Sequence, residues 1–324
     1  MKAILLKKYG PPTDLQVGEV PKPEPTDRQV LVKIHATAIN DYDWSMVRGR
    51  PVLYQLLYGV GKPKHPIPGM ELSGTIEAVG DKVTQHQVGD AVFGDTSDFS
   101  FGTLAEYICV HENALLKKPA HLSFEEAASL PHAYGLAYQG LVDKGQITKG
   151  MKVLINGAGG GVGTFGIQIA KLYNAEVTGV DTGEKLNRLK TLGFDHIIDY
   201  KQQDFTQLAT QFDLILDAKS THGPFAYARV LKPVGRYVTV GGTVGALLRI
   251  ALFGSLVKWL HKKHVEILAL KPNKDIDKID QHFGEKKLDC VIDGPYPLSE
   301  TPRLIQYFGE GRHTGKIIIS MNMD

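Results

Sequence analysis

The sequence predicts an α/β protein: a doubly wound parallel sheet joined to a barrel-like unit of short strands. Three observations carry this. From about residue 123 to residue 271, apolar strands alternate with segments of helical spacing, the pattern of a parallel sheet covered on both faces. Before residue 123, short strands of alternating polarity are separated by proline-rich loops. At one strand-to-helix junction, residues 156–163, five of eight positions are glycine. A 324-residue chain with 43% hydrophobic residues has apolar mass for two cores of this kind.

The elements follow in order. Residues 30–34 alternate towards their end, residues 74–80 form a strand closed by Gly80, and residues 91–94 and 104–110 continue the pattern. Pro21, Pro23 and Pro25, then Pro63, Pro66 and Pro68, mark loops. At Ser123 the texture changes. Ser123 with Glu125 and Glu126 reads as an N-cap followed by acidic first-turn residues, which suit the positive end of a helix dipole. Strands at 152–155, 175–180, 196–198, 213–217 and 236–240 then alternate with helices at 163–173 and 184–192. Residues 316–320 form a last strand that returns to the first unit. The division predicted is residues 1–122 with 273–324, and residues 123–272.

Composition narrows the function classes. Thirty-seven basic against thirty-five acidic residues, a net charge of +2, leave no nucleic-acid footprint. Cys109 and Cys290 are the only cysteines, too few for a disulfide framework or a four-thiolate zinc site, and they fit a reducing cytoplasm. The apolar run at residues 3–6 is too short for a signal peptide. Residues 244–263 are the oddest stretch, apolar but carrying Arg249, Lys258, Lys262 and Lys263. They read as a helix that covers a pocket or an interface, or as a basic amphipathic segment that touches a membrane surface.

The run Asn156, Gly157, Ala158, Gly159, Gly160, Gly161, Val162, Gly163 lies between a predicted strand and a predicted helix. In that context glycines permit a tight turn, let the backbone approach a pyrophosphate and bring the helix close to the sheet. The helix N-terminus then offers free N–H groups to phosphates. Ala158, Gly160 and Gly163 occupy the G-x-G-x-x-G positions, with alanine in the first place. The next strand runs into Asp181, near the spacing of a ribose-binding carboxylate, which disfavours the extra phosphate of NADP. Lys185 and Arg188 could pair with that phosphate, or form a solvated helix face. The choice between NADP(H) and NAD(H) stays open.

Beyond the loop, Ala38-Ile39-Asn40-Asp41-Tyr42-Asp43-Trp44, Pro68-Gly69-Met70-Glu71-Leu72-Ser73-Gly74 and Val88-Gly89-Asp90-Ala91-Val92-Phe93 carry a resemblance, with Gly102-Thr103-Leu104-Ala105-Glu106-Tyr107, residues 168–171, residues 193–200 and Gly315-Lys316. The chain resembles the medium-chain dehydrogenase/reductase superfamily, in its zinc-free quinone oxidoreductase-like branch, over essentially its whole length. The resemblance implies a GroES-like β-barrel catalytic domain made from both chain ends, an inserted Rossmann domain and a homodimer. It maps the ribose or 2′-phosphate region onto Asp181, Lys185 and Tyr200, and the nicotinamide onto Val240, Gly241 and Gly242. It sends Lys316 to the pyrophosphate. Where zinc relatives bind metal, this chain holds Asn40, Met70 and His132, poor donors together, and Glu71 with His132 supplies half a site at most.

The expected activity is hydride transfer from NAD(P)H to a quinone or α,β-unsaturated carbonyl without zinc. Asn40, Tyr42 and Asp43 are the candidate catalytic residues, and Asp43 has a structural alternative as a partner of Arg48. Tyr54, Tyr58 and His132 are the candidate pocket residues. The alternatives are a zinc-free enoyl reductase or alcohol dehydrogenase acting on other carbonyls, and a nucleotide-binding sensor without turnover.

Overall fold

The computed structural model describes residues 1–276, 279, 281 and 288–323. Within the predicted return segment 273–324, residues 277–278, 280, 282–287 and 324 lie outside the described residues. Two compact units form. Unit one comprises Met1–His132, Pro272–Ile279 and Ile292–Asp324, and unit two Ala133–Lys271 and Asp280–Val291.

The strands in chain order begin with β1 (Lys2–Leu5), β2 (Gln16–Glu19), β3 (Gln29–Ala38), β4 (Glu71–Val79) and β5 (Ala91–Asp95). Next come β6 (Tyr107–His111), β7 (Leu116–Lys117), β8 (Lys152–Asn156), β9 (Glu176–Asp181) and β10 (His196–Asp199). Last are β11 (Phe212–Asp217), β12 (Leu231–Thr239), β13 (His264–Ile267), β14 (Ile292–Tyr296) and β15 (Lys316–Ser320). The helices are α1 (Asp41–Arg48), α2 (Val52–Tyr58), α3 (Phe124–Ser129), α4 (Pro131–Tyr138) and α5 (Gly161–Leu172). They continue with α6 (Lys185–Thr191), α7 (Pro224–Arg229), α8 (Val244–His261) and α9 (Thr301–Gly309).

Unit one is organised by β3, which pairs antiparallel with β15, β4 and β6. Register shifts between Leu31 and Val32 and between Ile34 and Ala36 bend it, as bulges do where a sheet must curl. Val30, Val32 and Ile34 pack with Leu72, Ile76, Val92 and Ile108 into one apolar cluster. A second cluster joins Ile4, Ile39, Met46, Met70, Leu304, Ile317 and Ile319. The sequence reading of this unit as strands and loops omits α1 and α2. Helix α1 starts where the Asn40 N–H donates to Asp43 Oδ2 at 2.8 Å, one arm of a capping box. The Ser123 cap is as expected: Ser123 Oγ accepts from Glu126 N, and Glu126 Oε2 accepts from Ser123 N.

Unit two holds a six-stranded parallel sheet in the order β10-β9-β8-β11-β12-β13. Strand order reverses between β8 and β11, the switch point at which doubly wound sheets open a ligand crevice beyond the strand ends. Here the last residues of the two strands, Asn156 and Asp217, stand opposite each other. The apolar strands alternate with helices as their sequence requires, and β13 adds a sixth strand the pattern does not announce.

Candidate active site

The glycine loop in unit two is built from its strand upward. Asn156 ends β8, and its Nδ2 donates to Asp217 Oδ1 at 2.8 Å. Asp217 is fully buried, and burial pushes its carboxyl up, partly offset by hydrogen bonds from Lys219 N, Tyr237 and Asn156. Gly157 turns the chain at φ +83°, in the left-handed region. A Cβ on Gly163 would lie 2.3 Å from Ala158 O, so glycine alone lets α5 close onto the loop. The first backbone bond into α5 runs from Thr164 N to Gly160 O. The amides of Gly161, Val162 and Gly163 therefore precede the intrahelical ladder and are available to an anion.

Asp181 ends β9 and is 7% exposed. Its Oδ2 accepts from Gly159 N at 2.8 Å and its Oδ1 from Thr182 N at 2.9 Å. The Lys185 ammonium stands 3.9 Å from Oδ1. The carboxylate is thus bolted to the loop, and Lys185 leans on it. Tyr200 is exposed, and its N–H donates to Asp181 O. Val240 N donates to Asp217 O, Gly241 N to Thr239 Oγ1, and Gly242 bridges to Ser220. These residues lie beyond the ends of β11 and β12, beside the switch point. Such a cradle fits a dinucleotide: a close-packed glycine turn, open helix amides, and a carboxylate at the next strand end.

In unit one a polar cluster centres on Glu71, which is fully buried at the start of β4. Its Oε1 accepts from Asn40 Nδ2 at 2.9 Å and pairs with the Lys316 ammonium. Its Oε2 accepts from His132 N at 2.9 Å. Lys316 Nζ also donates to Asn40 Oδ1 at 2.6 Å. Lys316, expected at a pyrophosphate, has its charge taken by this buried carboxylate instead. Asp43 is likewise engaged: Oδ2 holds Asn40 N and Oδ1 accepts from Gly69 N at 2.9 Å. Burial pushes its carboxyl up to about 7 against those hydrogen bonds and the Lys316 charge. Asp43 therefore pins the start of α1, while Arg48, its suggested partner, stacks over the Trp44 ring.

His132 Nδ1 lies 3.0 Å from Asp95 Oδ2. Burial raises the Asp95 carboxyl, but the bond and charge of His132, with hydrogen bonds from Ser97, leave it below the usual range. The ring of His132 meets that of Tyr42 edge-on at 6.0 Å. Tyr42 neighbours Tyr54 at 6.2 Å and Phe101 at 6.3 Å, and Tyr54 neighbours Tyr58 at 5.8 Å. Burial raises the Tyr42 hydroxyl, helped by Asp95, and pushes that of Tyr54 up to about 12. The structure thus brings Asn40, Tyr42, Tyr54, Tyr58 and His132 into one neighbourhood. Sequence reasoning missed Asp95 and Asp217, strand-end carboxylates that belong to no local motif. Among the described residues, no group of three or more His, Cys, Asp or Glu side chains is arranged to hold a metal. Met70 is buried in the apolar core.

Comparison with known proteins gives matching outlines. A family model described as alcohol dehydrogenase GroES-like domain matches residues 26–120, and one described as zinc-binding dehydrogenase matches residues 192–319. The chain is 32% identical to 2-methylene-furan-3-one reductase of Solanum lycopersicum, over 98% of this chain and 79% of that protein. It is 31% identical to a chloroplastic quinone-oxidoreductase homolog of Spinacia oleracea, over 98% of each. Among solved structures, the quinone oxidoreductase from Coxiella burnetii superposes with a TM-score of 0.86 at 28% identity, covering 99% of each chain.

Proposed function

We infer the function from one premise: the chain belongs to the medium-chain dehydrogenase/reductase superfamily, in its quinone oxidoreductase-like branch, and is an oxidoreductase. The reading is that it reduces a quinone or an α,β-unsaturated carbonyl with NAD(P)H and without zinc. The observation that carries it is the glycine cradle at the switch point of the parallel sheet, with Asp181 fixed beside it. When bound, NAD(P)H supplies a hydride from its dihydronicotinamide ring.

The residues of unit two then bind and orient. The amides of Gly161, Val162 and Gly163 meet the pyrophosphate at the positive end of α5, with Gly157, Ala158 and Gly160 shaping the turn. Asp181 faces the adenosine ribose, with Lys185 and Tyr200 at its edge. Val240, Gly241 and Gly242 line the nicotinamide side. Both cofactor forms are within reach of this reading: the Asp181 carboxylate weighs against a 2′-phosphate and the Lys185 ammonium for it.

In unit one the groups handle a proton. Hydride addition leaves the substrate one proton short of the reduced product. With Nδ1 turned to Asp95, His132 leaves Nε2 as the atom that hands over the proton, and the Tyr42 ring meets it edge-on. Asn40 presents an amide polarised by Lys316 and Glu71, and Asp43 positions it. Tyr54 and Tyr58 wall the substrate. The zinc-free reading rests on donor chemistry. An amide, a thioether and a carboxylate whose charge is balanced by Lys316 make a poor site for zinc.

The test is NAD(P)H oxidation across a panel of quinones, enones and aldehydes. Turnover confined to quinones and enones supports the reading. Turnover of aldehydes alone points to an alcohol dehydrogenase. Tight cofactor binding with no turnover on any member makes the protein a sensor.

A further inference from the structure

Helix α8 is apolar on both sides. Ala246, Ile250, Gly254 and Val257 are buried, on a stripe that faces the sheet. On the other side Leu248, Leu252, Phe253, Leu256, Trp259 and Leu260 are exposed, Leu252 by 71% and Trp259 by 78%. Only 22% of the helix is buried. A helix with this composition belongs in a core, in a membrane or against one. It satisfies the length and composition of a membrane span, but its ends forbid spanning. Thr243 caps it four residues after β12 ends, Lys262 closes it in the left-handed conformation, and β13 starts two residues later beside β12 in the same sheet. A Cβ on Gly254 would lie 2.4 Å from Val265 O, so the helix is pressed onto β13. It can only lie flat.

Charge then distinguishes the occupants of its outer face. Residues 218–265 contain no aspartate or glutamate. Lys258 and Lys262, one turn apart and both exposed, flank Trp259. A second copy docked through this face would bring two basic segments together with no acidic residue of either to offset them, which is unfavourable. An anionic lipid surface meets the same pattern with opposite charge. Tryptophan suits the headgroup level and leucines the acyl boundary.

We propose that α8 is an interfacial helix that docks unit two onto an anionic phospholipid bilayer, with its Leu252 and Trp259 face inserted and Lys258 and Lys262 at the headgroups. This holds whatever substrate the enzyme reduces.

The test is flotation of the full chain with vesicles of phosphatidylglycerol and phosphatidylcholine, alongside pure phosphatidylcholine. Preferential binding to the anionic vesicles, with a blue shift of tryptophan emission that Trp259→Phe abolishes, is expected. Lys258→Gln with Lys262→Gln should weaken binding roughly tenfold or more. Leu252→Ser with Trp259→Ser should abolish it while cofactor binding, which tracks an intact fold, is retained. The proposal is overturned if the chain does not float with anionic vesicles, or if the serine variant floats as well as the original. It is equally overturned if sedimentation shows that the serine changes only dissociate a dimer.

Discussion

Glu71 accepts hydrogen bonds on both oxygens from three sources, Asn40, Lys316 and the His132 backbone, while having no access to water. A buried carboxylate in this position depends on its counter-charge. Replacing Lys316 by Met leaves it unpaired, and thermal or urea unfolding should report a loss of about 3–5 kcal/mol. Adding Glu71→Gln to that variant should recover part of the loss, since the two changes share one interaction. Asp43 makes a different prediction. Its carboxyl lies near 7 in the fold against an ordinary 3.8, raised chiefly by burial. A raised value means the native state binds the proton more tightly. The associated stability is complete below pH 3.8 and is lost as pH rises through about 7. Urea unfolding from pH 4 to 8 should therefore show the native chain losing stability relative to Asp43→Asn. A flat difference would show that the two backbone amides keep Asp43 ionised throughout. Asp181 speaks to cofactor choice. Asp181→Asn removes the charge and keeps an acceptor for Gly159 N, and should shift the NADPH-to-NADH affinity ratio upwards by roughly tenfold, on the order of 1.4 kcal/mol. An unchanged ratio in a binding titration means that Asp181 does not face the ribose.

Among the elements, the loop between β8 and α5 is the most legible in sequence because its requirements are local. A positive φ at Gly157 and the contact of Gly163 with Ala158 are met within eight residues. Gly163→Val should push α5 off the loop and lower dinucleotide affinity by more than tenfold in a fluorescence titration, with the far-ultraviolet dichroism of the sheet retained. Helix α1 was legible in principle, since Asn40 and Asp43 stand three apart as a capping box does, but the strand-rich surroundings mask so short a helix. Helix α2 turns an apolar face outward: Val52, Leu53, Leu56 and Leu57 are all exposed. With Gln55 the one strongly polar residue among seven, the segment offers no polar face to set against its apolar one. Strand β13 has four residues, and His264 and Glu266 among them break the apolar run that marks the other strands of the sheet.

Across the whole molecule, the parallel sheet follows from alternation of apolar strands and helices, and its switch point falls where the glycine run predicts. The polar cluster in unit one is another matter. Lys316 meets Glu71 across 245 positions, and His132 meets Asp95 across 37. No spacing rule reaches that far, so neither Asp95 nor the pairing of Lys316 with Glu71 is legible in the sequence. These two pairs also frame the proposal of a metal-free reaction: the first balances the charge of a carboxylate that a metal would need, and the second is the proton source proposed above. The direct measurement is steady-state NAD(P)H oxidation with an enone and a quinone, on protein whose metal content has been determined before and after chelation. Turnover that chelation leaves unchanged, in protein with no stoichiometric zinc, is expected. Activity that disappears on chelation and returns with one equivalent of zinc would contradict it.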